Sequence, residues 1–238
     1  MTRLRPARRL ILGACLVGVL ALLLYQLGLF ALVIWFNFRD PGYTPVMRQT
    51  LRTLQAEDPG ATLDYQWVPY ADISAHLKRA VIASEDTGFT EHDGVEWDAI
   101  RNAWRYNQRQ ADQGRDRRRG GSTITQQVAK NLFLSNERSY LRKAQELILA
   151  YMIEAVMSKN RILELYLNIA QWGRGTFGAQ AAARHYYRTD AARLSSAQAA
   201  RLAAMLPNPA YYDTHGVTPY LRGRIGTIQA RMRQVDIP

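Results

Sequence analysis

The chain has 238 residues, 47% of them hydrophobic, which fits one large domain with a sizeable core plus an anchor. Its formal charge of +11 and pI near 10.0 point to an anionic partner: nucleic acid, an acidic membrane surface or a phosphorylated substrate. A single cysteine, Cys15, excludes an intramolecular disulfide.

The first element decides among those partners by location. Leu10 to Phe38 carries no charged residue, and about 20 apolar residues suffice to cross a bilayer. Arg3, Arg5, Arg8 and Arg9 precede the run, whereas Arg39 just after it is offset by Asp40. The positive-inside rule therefore predicts a cytoplasmic N-terminus, with the remaining chain outside. Trp35, Phe36 and Phe38 fit an aromatic belt at the outer end. The run is too long for a cleaved signal peptide and lacks an Ala-x-Ala exit. The expectation is a basic cytoplasmic tail at 1–9 and an uncleaved single-pass anchor at 10–38, with Cys15 as a lipid-facing or packing residue.

Residues 39–68 mix Pro41, Gly42, Pro45, Pro59 and Gly60 with a short helical pattern from Val46 to Leu54. They are expected to be a juxtamembrane linker leading to a domain at 69–238, with Tyr65 to Pro69 extended. From Asp72 onward the apolar residues recur at helical spacing and strand signals are few, so the fold is expected to be mainly α. Leu77, Ala80, Val81 and Ser84 predict a helix with Asp72 as its cap and Gly88 as its stop, which puts Glu85 and Asp86 in the last turn. Unpaired carbonyls make that end partly negative, and cations are the usual choice there. Glu85 is thus a candidate for a raised pKa and for general acid/base work. An isolated Glu-Asp pair would read as a solvated turn; Phe89, His92 and Gly94 in close succession weigh against that.

Trp97, Ile100 and Trp104 predict the next helix. It runs into Asn107 to Gly121, so dense in Gln, Asp, Arg and Gly that a mobile loop is expected. Arg117, Arg118 and Arg119 could bind phosphates, but the segment lies outside the membrane and lacks interleaved aromatics, which disfavours nucleic acid. Ser122 is the expected N-cap of a helix with an apolar stripe of Ile124, Val128 and Leu132. Ser122, Gln126 and Lys130 share another face, where helix N–H groups and an ammonium could hold an anion.

Leu141, Ala144, Ile148, Tyr151, Met152 and Ala155 are the expected core face of the following helix, with Arg142–Glu146 as an i, i+4 pair. Ser158 is the expected cap of a short helix bearing Ile162, Leu165, Tyr166 and Ile169. A glycine loop from Gly173 to Gly178 leads to a small-residue helix from Ala179 to Tyr187. Ser195 and Gln198 form a capping box for a helix ending at Leu206. Thr218 and Pro219 open the last helix, which is basic on one side through Arg222, Arg224, Arg231 and Arg233.

Five separated patterns occur in one order: Glu85-Asp86-x-x-Phe89-x-x-His92-x-Gly94; Gly120-Gly121-Ser122-Thr123-Ile124-Thr125-Gln126-Gln127; Arg142-Lys143-x-x-Glu146; Lys159-x-x-Ile162-Leu163-Glu164-x-Tyr166-Leu167-Asn168; and Gly173-x-Gly175-x-x-Gly178-x-x-Ala181-Ala182. Together they resemble the peptidoglycan glycosyltransferases, the family that polymerises lipid II. The resemblance covers roughly Pro69 to Pro209. It implies a lysozyme-like, mainly helical fold with a larger head and a smaller jaw lobe that touches the membrane. The short remainder leaves no room for a transpeptidase domain, so the monofunctional, membrane-anchored form is expected. The Arg-rich loop before Gly120 departs from the family pattern.

By this resemblance Glu85 is the general base that deprotonates the acceptor hydroxyl, and Lys130 and Arg138 bind the donor pyrophosphate. Ser122, Gln126, Gln127, Arg142 and Lys143 belong to the same substrate-binding set. Glu146 matches a second essential acid, which either coordinates a divalent cation (Mg²⁺ or Mn²⁺) or holds Arg and Lys side chains in place. Asp86, Phe89, His92, Gly94, Gly121, Thr123, Asn168, Gly175 and Gly178 match motif positions that build the loops. The implied partners are lipid II, the lipid-linked growing glycan and membrane lipids, with division or elongation proteins left open and no nucleic acid. The implied location is the bacterial inner membrane with a periplasmic catalytic domain. Two other readings stay open: a lytic enzyme on the same fold, which also needs one glutamate of elevated pKa, and a non-catalytic cell-wall scaffold.

Overall fold

The structure is a computed structural model and describes residues 4–115, 120–135 and 139–238, without the side chains of residues 4–7 and 9. Its first unit is helix α1, Leu4–Phe38, whose apolar part Leu10–Phe38 has a mean hydropathy of 2.5. At 1.5 Å per residue that part is roughly 44 Å long, more than the ~30 Å of a hydrocarbon core.

Residues 40–238 form the second unit. Where a linker was expected, Thr44 caps helix α2 (Pro45–Glu57): its Oγ1 accepts from the Met47 N–H at 3.3 Å, and Pro45 occupies the first turn. Val46 and Met47 are buried, and α2 packs against α5 (Ile124–Phe133). Strand β1 (Asp64–Tyr65) pairs in parallel with β2 (Thr176–Phe177), a two-stranded sheet. Asn168 extends that pairing, because its carboxamide donates to the Val68 carbonyl and accepts from the Val68 N–H, both at 2.9 Å.

The other helices are α3 (Ala75–Glu85), α4 (Trp97–Asp112), α6 (Tyr140–Val156), α7 (Lys159–Ile169), α8 (Ala179–Tyr187), α9 (Ser196–Met205), α10 (Pro209–His215) and α11 (Pro219–Arg231). Two packed groups frame the site. In one, α9 lies between α3 and α11; in the other, α5 packs on both α6 and α7. Ala199, Ala200, Ala203 and Ala204 are fully buried on α9, and their small side chains let α3 and α11 approach closely.

Several caps stand where the sequence places them. Ser158 accepts from the Arg161 N–H, Ser195 and Gln198 close a capping box, and Thr218 accepts from the Leu221 N–H. Others move. Ser74, not Asp72, caps α3, since Asp72 closes a 3-10 turn at Tyr70–Asp72. The helix then stops at Asp86 as its C-cap, before Gly88. Thr123, not Ser122, caps α5. Helix α4 continues through Asp112 where a loop from Asn107 was expected, because Gln, Arg and Ala are good helix formers even on an exposed helix. Arg117, Arg118 and Arg119 lie outside the described residues.

The largest difference is on α6. Its buried side is Glu146, Leu149, Ala150 and Ile153, whereas the expected core face, Leu141, Ala144, Ile148, Tyr151 and Ala155, is exposed and Met152 is half-buried. Trp97 and Trp104 of α4 are also exposed, and the Trp97 indole N–H donates to Tyr151 Oη at 3.1 Å. Periodicity finds an apolar stripe but does not say what covers it.

Candidate active site

Helix α3 delivers Glu85 as its last residue. Its Oε1 accepts from the Ser84 hydroxyl at 2.9 Å and lies 3.4 Å from a guanidinium nitrogen of Arg224 on α11. Its Oε2 accepts from the Gln127 carboxamide of α5 at 3.1 Å. Glu85 is therefore not a solvated turn residue. The Gln127 carboxamide is itself oriented, because Tyr166 of α7 donates its phenol proton to Gln127 Oε1 at 3.2 Å. Burial pushes the Tyr166 phenol well above its ordinary value, and the negative charges of Glu85 and Asp86 add to this, so it remains a donor.

Asp86 turns away from Glu85. One oxygen meets His92 Nε2 at 2.9 Å and the other accepts from the Ile124 N–H, the first of α5, also at 2.9 Å. The anion at that helix N-terminus is thus the protein's own Asp86, which corrects the expectation that the α5 N-terminus is open to a ligand. Gln126 is turned into the same cap: it is fully buried and its Oε1 accepts from the Thr123 N–H at 2.9 Å, while its Nε2 meets no hydrogen-bond partner among the described residues. The Ser122–Gln126–Lys130 anion face therefore does not form as a unit.

The loop between α3 and α4 is braced on every side. The Gly94 N–H donates to His92 Nδ1 at 3.1 Å, which leaves Nε2 to carry the proton that Asp86 accepts. Burial pulls the His92 pKa down, but the Asp86 hydrogen bond and charge outweigh it and the net shift is upward. Thr123 donates to the Gly94 carbonyl at 2.6 Å, and the Lys159 ammonium sits 4.8 Å from the centre of the fully buried Phe89 ring while donating to the His92 carbonyl at 2.6 Å. Gly94 has φ +84°, and a Cβ there would meet Glu154 Cγ at 2.6 Å. Gly178 has φ +85°, and its Cβ would meet the Asn168 carbonyl at 2.8 Å. Gly121 backs onto Ala99 and Ile100 of α4, and the Gly175 carbonyl accepts the Asp64 N–H at 2.9 Å. These motif residues are architecture.

The second charged centre lies on α6. Glu146, 3% exposed, accepts from Arg142 at 2.8 Å through Oε2 and from Lys143 through Oε1. Lys143 also donates to Ser122 Oγ at 3.0 Å. Burial lowers the Lys130 pKa; Glu146 opposes that, and Arg142 and Lys143 reinforce it. Three cations thus surround one buried carboxylate, an arrangement with positive charge to spare for an anion. Arg138 lies outside the described residues.

Among the described residues, most of the candidate ligand atoms for a divalent cation are already engaged by protein groups. Both Glu146 oxygens are engaged by cations. Asp86, His92 and Glu96 bring one ligand atom each within 4.8 Å of one another, but the Asp86 oxygens and both His92 nitrogens are already paired internally.

A cavity of about 180 Å³ opens beside α5, lined by Gln127, Lys130, Asn131, Tyr166, Gln171 and Leu206 among others. Pockets that enclose a drug-sized ligand measure roughly 300–1,000 Å³, so this one suits the end of a longer substrate. Gln127 touches Glu85 from this cavity and Lys130 feels the α6 charges, so one helix serves both centres. Sequence reasoning missed Ser84, Arg224 and the orienting role of Tyr166. Arg224 read as part of a basic helix face, and nothing local ties it to a residue 139 positions earlier.

The transglycosylase family model matches residues 51–233. The chain is 65% identical over 237 residues to the biosynthetic peptidoglycan transglycosylase of Bordetella pertussis (strain Tohama I), covering 98% of each chain. It is 52% identical over 231 residues to the protein of that name from Herminiimonas arsenicoxydans, covering 97% of this chain and 98% of the relative. With the one from Azoarcus sp. (strain BH72) it shares 51% over 228 residues, covering 95% and 96%.

Proposed function

The chain belongs to the transglycosylase family, and from that premise we propose that it polymerises lipid II into β-1,4 glycan strands by single inversion. The observation that carries this is the pairing of one oriented carboxylate, Glu85, with a separate group of cations around Glu146, joined by α5. Glu85 takes the proton from the 4-hydroxyl of the acceptor N-acetylglucosamine as that oxygen bonds to the anomeric carbon of the donor. The bond from that carbon to the undecaprenyl pyrophosphate breaks, and the leaving group departs with its electron pair. Lys130, Arg142 and Lys143 face the charge that develops on it, where preorganised cations stabilise a transition state most. A lytic enzyme would need an acid but has no leaving phosphate to use three cations on, and a scaffold needs neither centre. Incubation of the detergent-solubilised chain with labelled lipid II tests the proposal: glycan polymer is expected, and fragments of preformed glycan with no polymer would overturn it.

Lys130→Ala should lower kcat and kcat/KM together, by about tenfold or more, since it removes a contact strongest in the transition state. Because its pKa is lowered, the wild-type rate should also decline on the alkaline side before free lysine would deprotonate. A variant with full polymerisation rate would leave Lys130 as a helix-surface charge.

Membrane attachment completes the reading. Helix α1 is long and apolar enough to serve as an anchor. The exposed Trp97, Trp104, Leu141, Ile148 and Tyr151 give the domain an apolar surface suited to membrane lipids, next to which a polyprenyl-linked substrate resides. The inner membrane, with the N-terminus cytoplasmic, is the topology that brings the domain to lipid-linked glycan. A reporter active only in the periplasm, fused after Pro238, should be active; activity of a cytoplasm-only reporter instead would refute this orientation.

A further inference from the structure

Glu85 has two oxygens with different surroundings, and the difference is set by the last helix. Arg224 donates to the Ser84 hydroxyl at 2.8 Å and approaches Glu85 Oε1 at 3.4 Å. With its lone pair occupied by the guanidinium, the Ser84 hydroxyl gives its one proton to Glu85 Oε1 at 2.9 Å in preference to the neutral Ala203 carbonyl at 3.2 Å. Oε1 is thereby committed on the α11 side. Among the described residues Oε2 accepts from Gln127, a residue that lines the cavity, and Tyr166 keeps that donor turned toward it. We propose that Arg224, through Ser84, is a positioning residue that fixes the Glu85 carboxylate so that Oε2 is the oxygen that takes the acceptor proton. This rests on the reading of Glu85 as the general base.

The arrangement suits a base at the end of a helix. Glutamate has three rotatable bonds, and Glu85 is the last residue of α3, so its own backbone constrains the carboxylate little. A misplacement of about 1 Å in a reacting group can cost about 10²-fold in rate. One terminal nitrogen of the Arg224 guanidinium, carried on α11 and packed through α9 against α3, reaches both Ser84 and Glu85 and supplies the missing constraint from 139 residues away.

Arg224→Ala, Arg224→Lys and, as a control on the same helix, Arg222→Ala test this, with kcat, KM and thermal melting measured on the full detergent-solubilised chain and lipid II. Arg224→Ala should lower kcat by about tenfold to a hundredfold with KM within about twofold. Arg224→Lys should recover only part of the loss, since it keeps the positive charge but does not reproduce the position of the guanidinium nitrogen that meets both Ser84 and Glu85. Guanidinium ion at millimolar concentration should raise the rate of Arg224→Ala and leave wild type and Arg222→Ala unchanged. An unchanged kcat in Arg224→Ala, a loss confined to KM, or a loss matched by a fall in melting temperature and not rescued by guanidinium would each overturn the assignment. Glu85→Gln separates the two levels. If that variant polymerises at a substantial rate, the base itself is misassigned; if it is inactive while Arg224→Ala is normal, only the positioning role fails.

Discussion

Replacing Glu85 by glutamine is expected to abolish polymerisation, with a rate loss of at least about a hundredfold, while binding of a non-reactive lipid-pyrophosphate donor mimic stays near the wild-type value. The substitution keeps the shape of the side chain and one carbonyl oxygen, which can remain with Ser84 and Arg224. The new amide nitrogen would then face the Gln127 nitrogen, donor against donor. Gln127 can relieve this by rotating its carboxamide, because Tyr166 Oη can accept as well as donate. The network re-forms at a cost of about 1 kcal/mol or less, so the fold and the cation centre on α6 should be intact. What is lost is proton acceptance alone. Titration calorimetry with the mimic and a polymerisation assay on the same sample separate the two. A variant that polymerises at a substantial rate would show that another group removes the acceptor proton.

The elements were largely legible in the sequence because caps are local. Ser158, the Ser195–Gln198 box and the Thr218–Pro219 start each act within one turn, and each stands where its residues predict. Faces were less legible. Leu141, Ile148 and Tyr151 have the spacing of a core stripe yet are exposed, since periodicity records an apolar face and not what covers it. Glu146, expected as half of an i, i+4 pair with Arg142, makes that pair from a buried position opposite the stripe. The site was legible in part. The motifs place Glu85 and Gln127 together, but not the use of the α5 N-terminus by Asp86, which needs the loop to fold back through His92 and Gly94. Arg224 carries no local signal, because its partner is brought to it only by the packing of α11 and α3 on the alanine face of α9.

Glu146→Gln should fail in a different way, losing donor affinity and rate together. The carboxylate accepts from Arg142 and Lys143 and offsets the burial of Lys130, so removing its charge leaves three neighbouring cations with no anion among them. Truncating one partner of a buried ion pair costs about 3–5 kcal/mol, and less here because the Lys143 side chain is 38% exposed and water can compensate it. A drop in melting temperature should therefore accompany the kinetic loss, unlike Glu85→Gln. The amide can hold either Arg142 or Lys143 through its oxygen, but not both, so the geometry that faces the pyrophosphate is lost even though net positive charge rises. Donor affinity should fall by about tenfold, about 1.4 kcal/mol. Added Mg²⁺ discriminates between the two roles that a buried acid could have at this place. If Glu146 is the counter-ion that its contacts describe, Mg²⁺ has no vacated ligand to restore and the deficit persists at any concentration. If Mg²⁺ restores donor binding in Glu146→Gln, the carboxylate holds a divalent cation during turnover, and the cation triad must then rearrange when the donor enters.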